Sequence, residues 1–101
     1  MADLPFLLIY DYIPDYLEKR TPFREEHLAH GKRAMDRGDL IMGGPCYDPG
    51  QPMALLIFRG VSREQVEAHA KNDPYVKEGI VARWTVREWT MGAGPNVLAA
   101  Q

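Results

Sequence analysis

Two short segments of this chain are apolar on both faces of the strand that each of them predicts. Met-Ala-Leu-Leu-Ile-Phe occupies positions 53–58, and Phe-Leu-Leu-Ile-Tyr occupies positions 6–10. Successive side chains of a strand point to opposite faces of its sheet. An antiparallel sheet with one solvent-exposed face therefore alternates apolar and polar residues, which these segments do not. Both faces of the sheet must be covered, although the chain has only 101 residues.

Two segments between the predicted strands carry the start and stop signals of helices. Thr21 and Pro22 suit the cap and first position of a helix over residues 23–37. Gly38 suits the end of that helix, because glycine readily adopts the left-handed conformation. A second helix is predicted over residues 62–71, since its first four residues, Ser-Arg-Glu-Gln, form a capping box.

The remaining segments complete a recognisable order of elements. A strand begins at residues 40–42 and runs into Gly43-Gly44-Pro45, and residues 80–89 alternate as a strand with one face on a core. The order β-α-β-β-α-β predicts the α+β, ferredoxin-like fold, in which two helices cover one face of a four-stranded antiparallel sheet. Nothing is left to cover the other face, so we predict a homodimer through this open sheet face. A sheet bent enough to hide its own back is the alternative.

Composition limits the class of protein. The net charge of −2 and the pI of about 5.9 give no basic surface for nucleic acid. Cys46 is the single cysteine, so no internal disulfide is predicted. The start Met-Ala-Asp lacks the features of a secretory signal, and the apolar runs are too short to span a membrane. We expect a cytoplasmic protein with one domain at 1–91 and a glycine-rich C-terminal tail at 92–101.

Three segments hold polar groups that a compact fold could bring together. The first reads Arg-Glu-Glu-His-Leu at positions 24–28, on the first predicted helix. The second is Gly43-Gly44-Pro45, at the end of the second predicted strand. The third reads Asn-Asp-Pro-Tyr at positions 72–75, after the second predicted helix.

This ordered set resembles the YciI-like family of the dimeric α/β-barrel, ferredoxin-like group. The matching positions are Arg24, His27, Leu28, Gly38, Gly44, Pro45, Asp73, Pro74, Tyr75, Val76 and Gly79. The resemblance extends roughly from Phe6 to Trp89. It implies a His–Asp active-site pair, which falls on His27 and Asp73, and relatives that resemble small lyases, one of which eliminates chloride.

The chemistry of this pair is coherent on physical grounds. Histidine changes its charge near neutral pH, so His27 suits the role of general acid/base. An aspartate bonded to one ring nitrogen holds the imidazole in one tautomer and stabilises the imidazolium, which is the role predicted for Asp73.

The surrounding residues are predicted to bind a substrate. Arg24 lies one helical turn before the histidine and could hold a substrate carboxylate. Backbone N–H groups near Gly43 and Gly44 could face a developing oxyanion, with Pro45 and Tyr75 lining the same pocket.

Each of these residues also has a structural interpretation. Asp73 before Pro74 suits the N-cap of a short helix, and a carboxylate has enough lone pairs to cap and to bond a histidine at once. His27 could be a boundary histidine, and the segment 43–45 could be a bulge or a turn. Arg24 could pair with surface glutamates, and packing could account for Tyr75.

The function predicted from these observations is a cofactor-independent enzyme acting on a small anionic metabolite in a lyase, isomerase or hydrolytic step. No metal-ligand pattern is present, and His30 and His69 are predicted to be solvated helix residues. The alternatives are a non-catalytic ligand-binding or regulatory dimer and a purely structural dimerisation unit. Fold resemblance does not choose among them, because ferredoxin-like domains host many activities.

Overall fold

A computed structural model of the protein describes residues 4–94. Its elements are β1 (Phe6–Tyr12), α1 (Tyr16–Lys19), a 3₁₀ helix (Thr21–Phe23), α2 (Arg24–Asp36), β2 (Leu40–Cys46), β3 (Met53–Phe58), α3 (Arg63–Asn72), α4 (Pro74–Lys77) and β4 (Val81–Glu88). The strands form one antiparallel sheet in the order β2-β3-β1-β4. This arrangement confirms the predicted α+β, ferredoxin-like fold.

The start of α2 differs from the prediction, whereas its end agrees with it. Thr21 lies within the 3₁₀ helix, whereas a capping residue is extended and precedes its helix, and no side-chain cap hydrogen bond is present there. The residue before it, Arg20, is itself in the helical region (φ −71°, ψ −20°). Gly38 has φ +84° and follows the end of α2. Its amide donates to the Met35 carbonyl at 2.9 Å, and the Asp39 amide donates to the Ala34 carbonyl at 3.0 Å, a Schellman pattern.

The capping box of α3 has the predicted geometry. The Gln65 amide donates to the Ser62 hydroxyl at 3.2 Å, and the Ser62 amide donates to the Gln65 side chain at 2.8 Å. This exchange satisfies two of the amides that a helix start leaves unpaired. It sets where α3 begins, and α3 ends before Asp73, which is extended.

The two central strands are apolar on both faces, as their sequences predict. Leu8, Tyr10 and Leu56 are buried on the face that carries the core. On the opposite face, Leu7 pairs with Ile57 and Ile9 pairs with Leu55, and all four side chains stay partly exposed. We call these four residues the open apolar face, which is a candidate for an interface.

The last strand departs from simple alternation. A register shift between Asp11 and Tyr12 on β1 lets Tyr12 pair with Val81, while Asp11 pairs with Arg83. Ile80 and Val81 are therefore both buried, and Ala82 is exposed instead of lying in the core. Such a bulge is a local irregularity that a period-two pattern cannot encode.

Part of the predicted tail lies outside the described residues, since positions 95–101 of the segment 92–101 are not described. Across residues 4–94, none of the helices has both the length and the apolar composition needed to cross a bilayer.

Candidate active site

His27 and Asp73 come from different helices and meet beside the sheet. His27 is on the first turn of α2, and Asp73 is the residue where α3 ends and α4 begins. His27 Nδ1 lies 2.8 Å from Asp73 Oδ1, and the histidine side chain keeps 19% of its surface exposed against 1% for the aspartate. The structure thus brings together the two residues to which the resemblance assigns the acid/base pair.

Asp73 is held by three donors. The Tyr10 hydroxyl donates to Oδ2 at 2.7 Å, and the Tyr75 amide donates to Oδ1 at 2.9 Å, in addition to the contact with His27. The amide contact is the N-cap of α4, so the cap and the histidine contact coexist on one carboxylate. Burial acts to raise the pKa of Asp73, but the histidine and the other two donors outweigh it, and the pKa lies below its usual value.

This electrostatic setting defines the direction of the hydrogen bond within the pair. An ionised carboxylate only accepts hydrogen bonds, so His27 Nδ1 is the donor and Nε2 is the ring nitrogen left for another partner. The imidazole also stacks on the Tyr75 ring, with centroids 3.6 Å apart and planes 1° apart. Two independent contacts therefore fix the orientation of the histidine ring.

Tyr10, which the sequence placed only in the apolar run of the first predicted strand, is also a site residue. It is fully buried on β1, and burial together with the nearby Asp73 carboxylate raises the pKa of its hydroxyl well above the usual value. The hydroxyl therefore stays protonated and donates. The sequence contained a signal for this role, because a tyrosine at a core-facing strand position needs a hydrogen-bond partner for its O–H group.

The pair lies at the wall of a cavity of about 360 Å³ between α2 and β2. The cavity size is within the range of small-molecule sites. Its apolar lining includes Leu28, Leu56 and Met35. Leu28 and Met35 are half exposed, so they form the open rim of the cavity, whereas Leu56 is buried at its wall.

The other predicted binding residues also line this cavity: Arg24, Gly43, Gly44, Pro45 and Tyr75. Gly43 and Gly44 lie within β2, which continues to Cys46, so they belong to an edge strand rather than to a turn. A Cβ at Gly43 would come within 3.2 Å of the Leu56 side chain and of the Leu55 carbonyl oxygen. A larger residue at that position would therefore intrude on the cavity wall.

His69 is buried, which makes the prediction of a solvated residue wrong. It is 7% exposed, its ring stacks on His30 at 4.1 Å, and its Nδ1 atom has no hydrogen-bond partner among the described residues. His30 Nε2 lies 2.8 Å from the His69 carbonyl oxygen, to which it donates. The sequence pattern of α3 alone did not reveal the burial of His69, because the ring that covers it belongs to His30 on α2. Over residues 4–94, no three His, Cys, Asp or Glu side chains are grouped to hold a metal.

The burial of His69 predicts a pH-dependent stability. Burial, reinforced by His30, lowers the pKa of His69 from 6.5 to about 4. The unfolded chain therefore takes up a proton at this residue before the folded chain does, and stability falls as the pH drops from 6.5 towards 4. We expect a loss of about 1–2 kcal/mol between pH 7.5 and pH 5. Urea unfolding of wild type and His69→Leu at both values should show a smaller pH difference for the variant, and equal differences would contradict the prediction.

A model of the YCII-related domain family matches residues 4–90. The chain belongs to this family. The match includes every strand and helix described above, and it confirms the resemblance drawn from the sequence motifs. Protein YciI of Escherichia coli is 35% identical over an alignment of 81 residues, and the match covers 72% of this chain and 83% of that protein.

Two further relatives of this YCII-related chain are named after small molecules. The derivative of benzaldehyde biosynthesis cluster protein C of Emericella nidulans is 35% identical over 75 residues, 65% of this chain and 76% of that protein. The 5-chloro-2-hydroxyhydroquinone dehydrochlorinase TftG of Burkholderia phenoliruptrix, solved in complex with 2,5-dihydroxybenzoquinone, is 26% identical. Its structure superposes with a TM-score of 0.74 over 88% of this chain and 96% of the TftG chain.

Proposed function

We propose that this protein is a cofactor-independent enzyme of lyase type that acts on a small anionic metabolite. The observation that carries the proposal is the contact of His27 Nδ1 with Asp73 Oδ1, at 2.8 Å, in the wall of a cavity of about 360 Å³. A basic nitrogen held by a buried carboxylate beside a substrate-sized cavity is the arrangement that general acid/base catalysis needs.

The reaction that this arrangement supports best is an elimination. His27 Nε2 removes a proton from the substrate, the electron pair of that bond forms a new double bond, and the leaving group departs with the electrons of its own bond. Asp73 stabilises the imidazolium that forms, and the imidazolium then returns its proton to solvent or to the leaving group. The dehydrochlorinase activity named for TftG, a loss of hydrogen chloride, is an elimination of this kind.

The proposed substrate contacts lie around this pair. Arg24 is one turn before His27 on α2 and binds an anionic oxygen of the substrate. Successive N–H groups of a strand point to opposite sides, so only one of Gly43 and Gly44 has its N–H at the free edge of β2 rather than towards β3. That N–H group is offered to negative charge that develops in the transition state. Pro45 and Tyr75 shape the cavity around the bound molecule.

The proposal is tested by asking whether a cavity ligand is consumed. Wild-type protein is incubated with 5-chloro-2-hydroxyhydroquinone and with other halogenated, hydroxylated ring acids, and chloride release and ultraviolet spectra are followed. We expect turnover of at least one compound at catalytic protein concentrations. Compounds that bind and are recovered unchanged, with no turnover across the set, would favour the non-catalytic binding module instead.

We also propose that the domain, residues 1–91, forms a homodimer through the open apolar face. Its four residues are aliphatic, adjacent across the β1–β3 pairing and still partly exposed in the single chain. A lysine there would face the partner copy without a charge partner, so Ile9→Lys should dissociate the dimer. Light scattering at micromolar concentration tests this, with Leu17→Lys, a change at an exposed aliphatic residue of α1, as the control. A monomeric wild type would overturn the proposal.

A further inference from the structure

A second cationic group lines the cavity beside Arg24. Arg20 follows α1, and its guanidinium lies over the Tyr16 ring, 5.2 Å from the centroid. Nη1 donates to the Tyr16 hydroxyl at 3.2 Å, and that hydroxyl lies 2.8 Å from the Tyr47 hydroxyl. Tyr16 is buried and stacks on Tyr12, with ring centroids 3.9 Å apart. Arg20 is therefore held against a rigid aromatic support rather than extended into solvent.

Neither Arg20 nor Arg24 is neutralised by a carboxylate of the described chain. The ion pairs formed by other cations with Asp or Glu are Lys32–Asp36, Arg37–Asp39 and Arg83–Asp11, all on the surface. Both arginines line the cavity, as does Lys32, which is paired with Asp36. The Asp73 carboxylate also lines it, but its contacts are with Tyr10, Tyr75 and His27. Two guanidinium groups that line one small cavity without an ion pair to a protein carboxylate are electrostatically suited to bind anionic oxygens.

The environment of the Tyr75 hydroxyl supports the same conclusion. Tyr75 is 1% exposed and lines the cavity, and its hydroxyl finds no acceptor within residues 4–94. Burial raises the pKa of this hydroxyl, and the charge of Arg20 together with a hydrogen bond and the charge of Arg24 act against the rise. A buried O–H group without an acceptor costs free energy unless a bound molecule supplies one.

We propose that Arg20, supported by Tyr16 and Tyr47, binds a second anionic oxygen of the substrate, so that the substrate is a small dianion whose two charges reach Arg20 and Arg24. The Tyr75 hydroxyl donates to the same molecule. This inference rests on the proposed function for the location of the site, and it adds the charge class of the substrate and a specificity-determining arginine.

The test measures binding, which does not require turnover. Isothermal titration at pH 7.5 compares terephthalate, a dicarboxylate, with benzoate, its single-charge counterpart. It also compares 2,5-dihydroxybenzoquinone, which has two acidic hydroxyls, with its neutral dimethyl ether. The variants are Arg20→Gln, Arg20→Lys, which keeps the charge, and Arg33→Gln, a control on α2 outside the cavity lining.

We expect Arg20→Gln to weaken binding of the favoured dianion by about 10- to 100-fold, with little effect on benzoate, because a charged hydrogen bond is lost only where a second anion exists. Arg20→Lys should recover part of the loss, and Arg33→Gln should bind as wild type does. The dianion that responds identifies carboxylate or enolate oxygens as the recognised group. A wild type that binds neither dianion, or an equal loss for benzoate, would overturn the inference. If Arg20→Gln selectively loses dianion binding and the wild type turns over none of the compounds tested, the inference about Arg20 is upheld and the proposed enzymatic activity is contradicted.

Discussion

Replacing His27 with glutamine is expected to lower kcat on any turned-over substrate by about 10²- to 10⁴-fold, the usual range for loss of a general acid/base. The ring nitrogen that exchanges the proton is removed, whereas the cavity and its arginines remain. KM should therefore change little. The measurement is steady-state kinetics of wild type and His27→Gln on the first substrate found.

The control for this change is His30→Gln, one turn further along α2. His30 bonds the His69 carbonyl oxygen and does not line the cavity that holds His27. His30 is a histidine on the same helix as His27 but lacks the proposed catalytic role. The kcat of His30→Gln should therefore stay within a few-fold of the wild-type value. Comparable loss in both variants would indicate damage to α2, and full activity of His27→Gln would remove the histidine from the mechanism.

Replacing Asp73 with alanine is expected to lower the free energy of unfolding by about 3–5 kcal/mol. The carboxylate accepts from the Tyr10 hydroxyl, the Tyr75 amide and His27 Nδ1, and its loss leaves donors without a partner in a buried place. If Asp73 were only a helix cap, the loss would be about 0.5–2 kcal/mol. Urea unfolding at pH 7 separates the two cases.

Two comparisons make the Asp73 experiment specific. Asp36→Ala removes an exposed partner of Lys32, and such surface pairs contribute about 0–1 kcal/mol. The pH dependence supplies the second comparison, because a carboxyl whose pKa in the folded protein lies below the usual value of 3.8 stabilises the protein above that pH. That contribution is lost as the pH falls through the folded pKa. Wild type should therefore lose more stability than Asp73→Ala when the pH is lowered below about 4.

Local signals in the sequence were sufficient for much of the framework. The apolar runs of β1 and β3, the capping box at Ser62 and the left-handed Gly38 were all predicted, because each depends on a few neighbouring residues. The start of α2 was not, since Thr21 is part of a 3₁₀ helix that follows closely on α1 and is therefore not the extended residue that a cap must be. The bulge opposite Tyr12 was missed for a similar reason, because it arises from pairing between two distant strands.

For the candidate site, too, the sequence predicted some residues and only the tertiary structure revealed the others. The sequence by itself determined the strand and helix pattern and, through its ordered motifs, named His27 and Asp73 as partners. Only the tertiary structure added Tyr10 behind the carboxylate, buried His69 under His30, and brought Arg20 to the cavity beside Arg24. These contacts join residues separated by up to 63 positions, and their formation depends on how helices pack on the sheet. Periodicity records which face of an element is apolar, whereas the partner that covers each polar group is decided by packing.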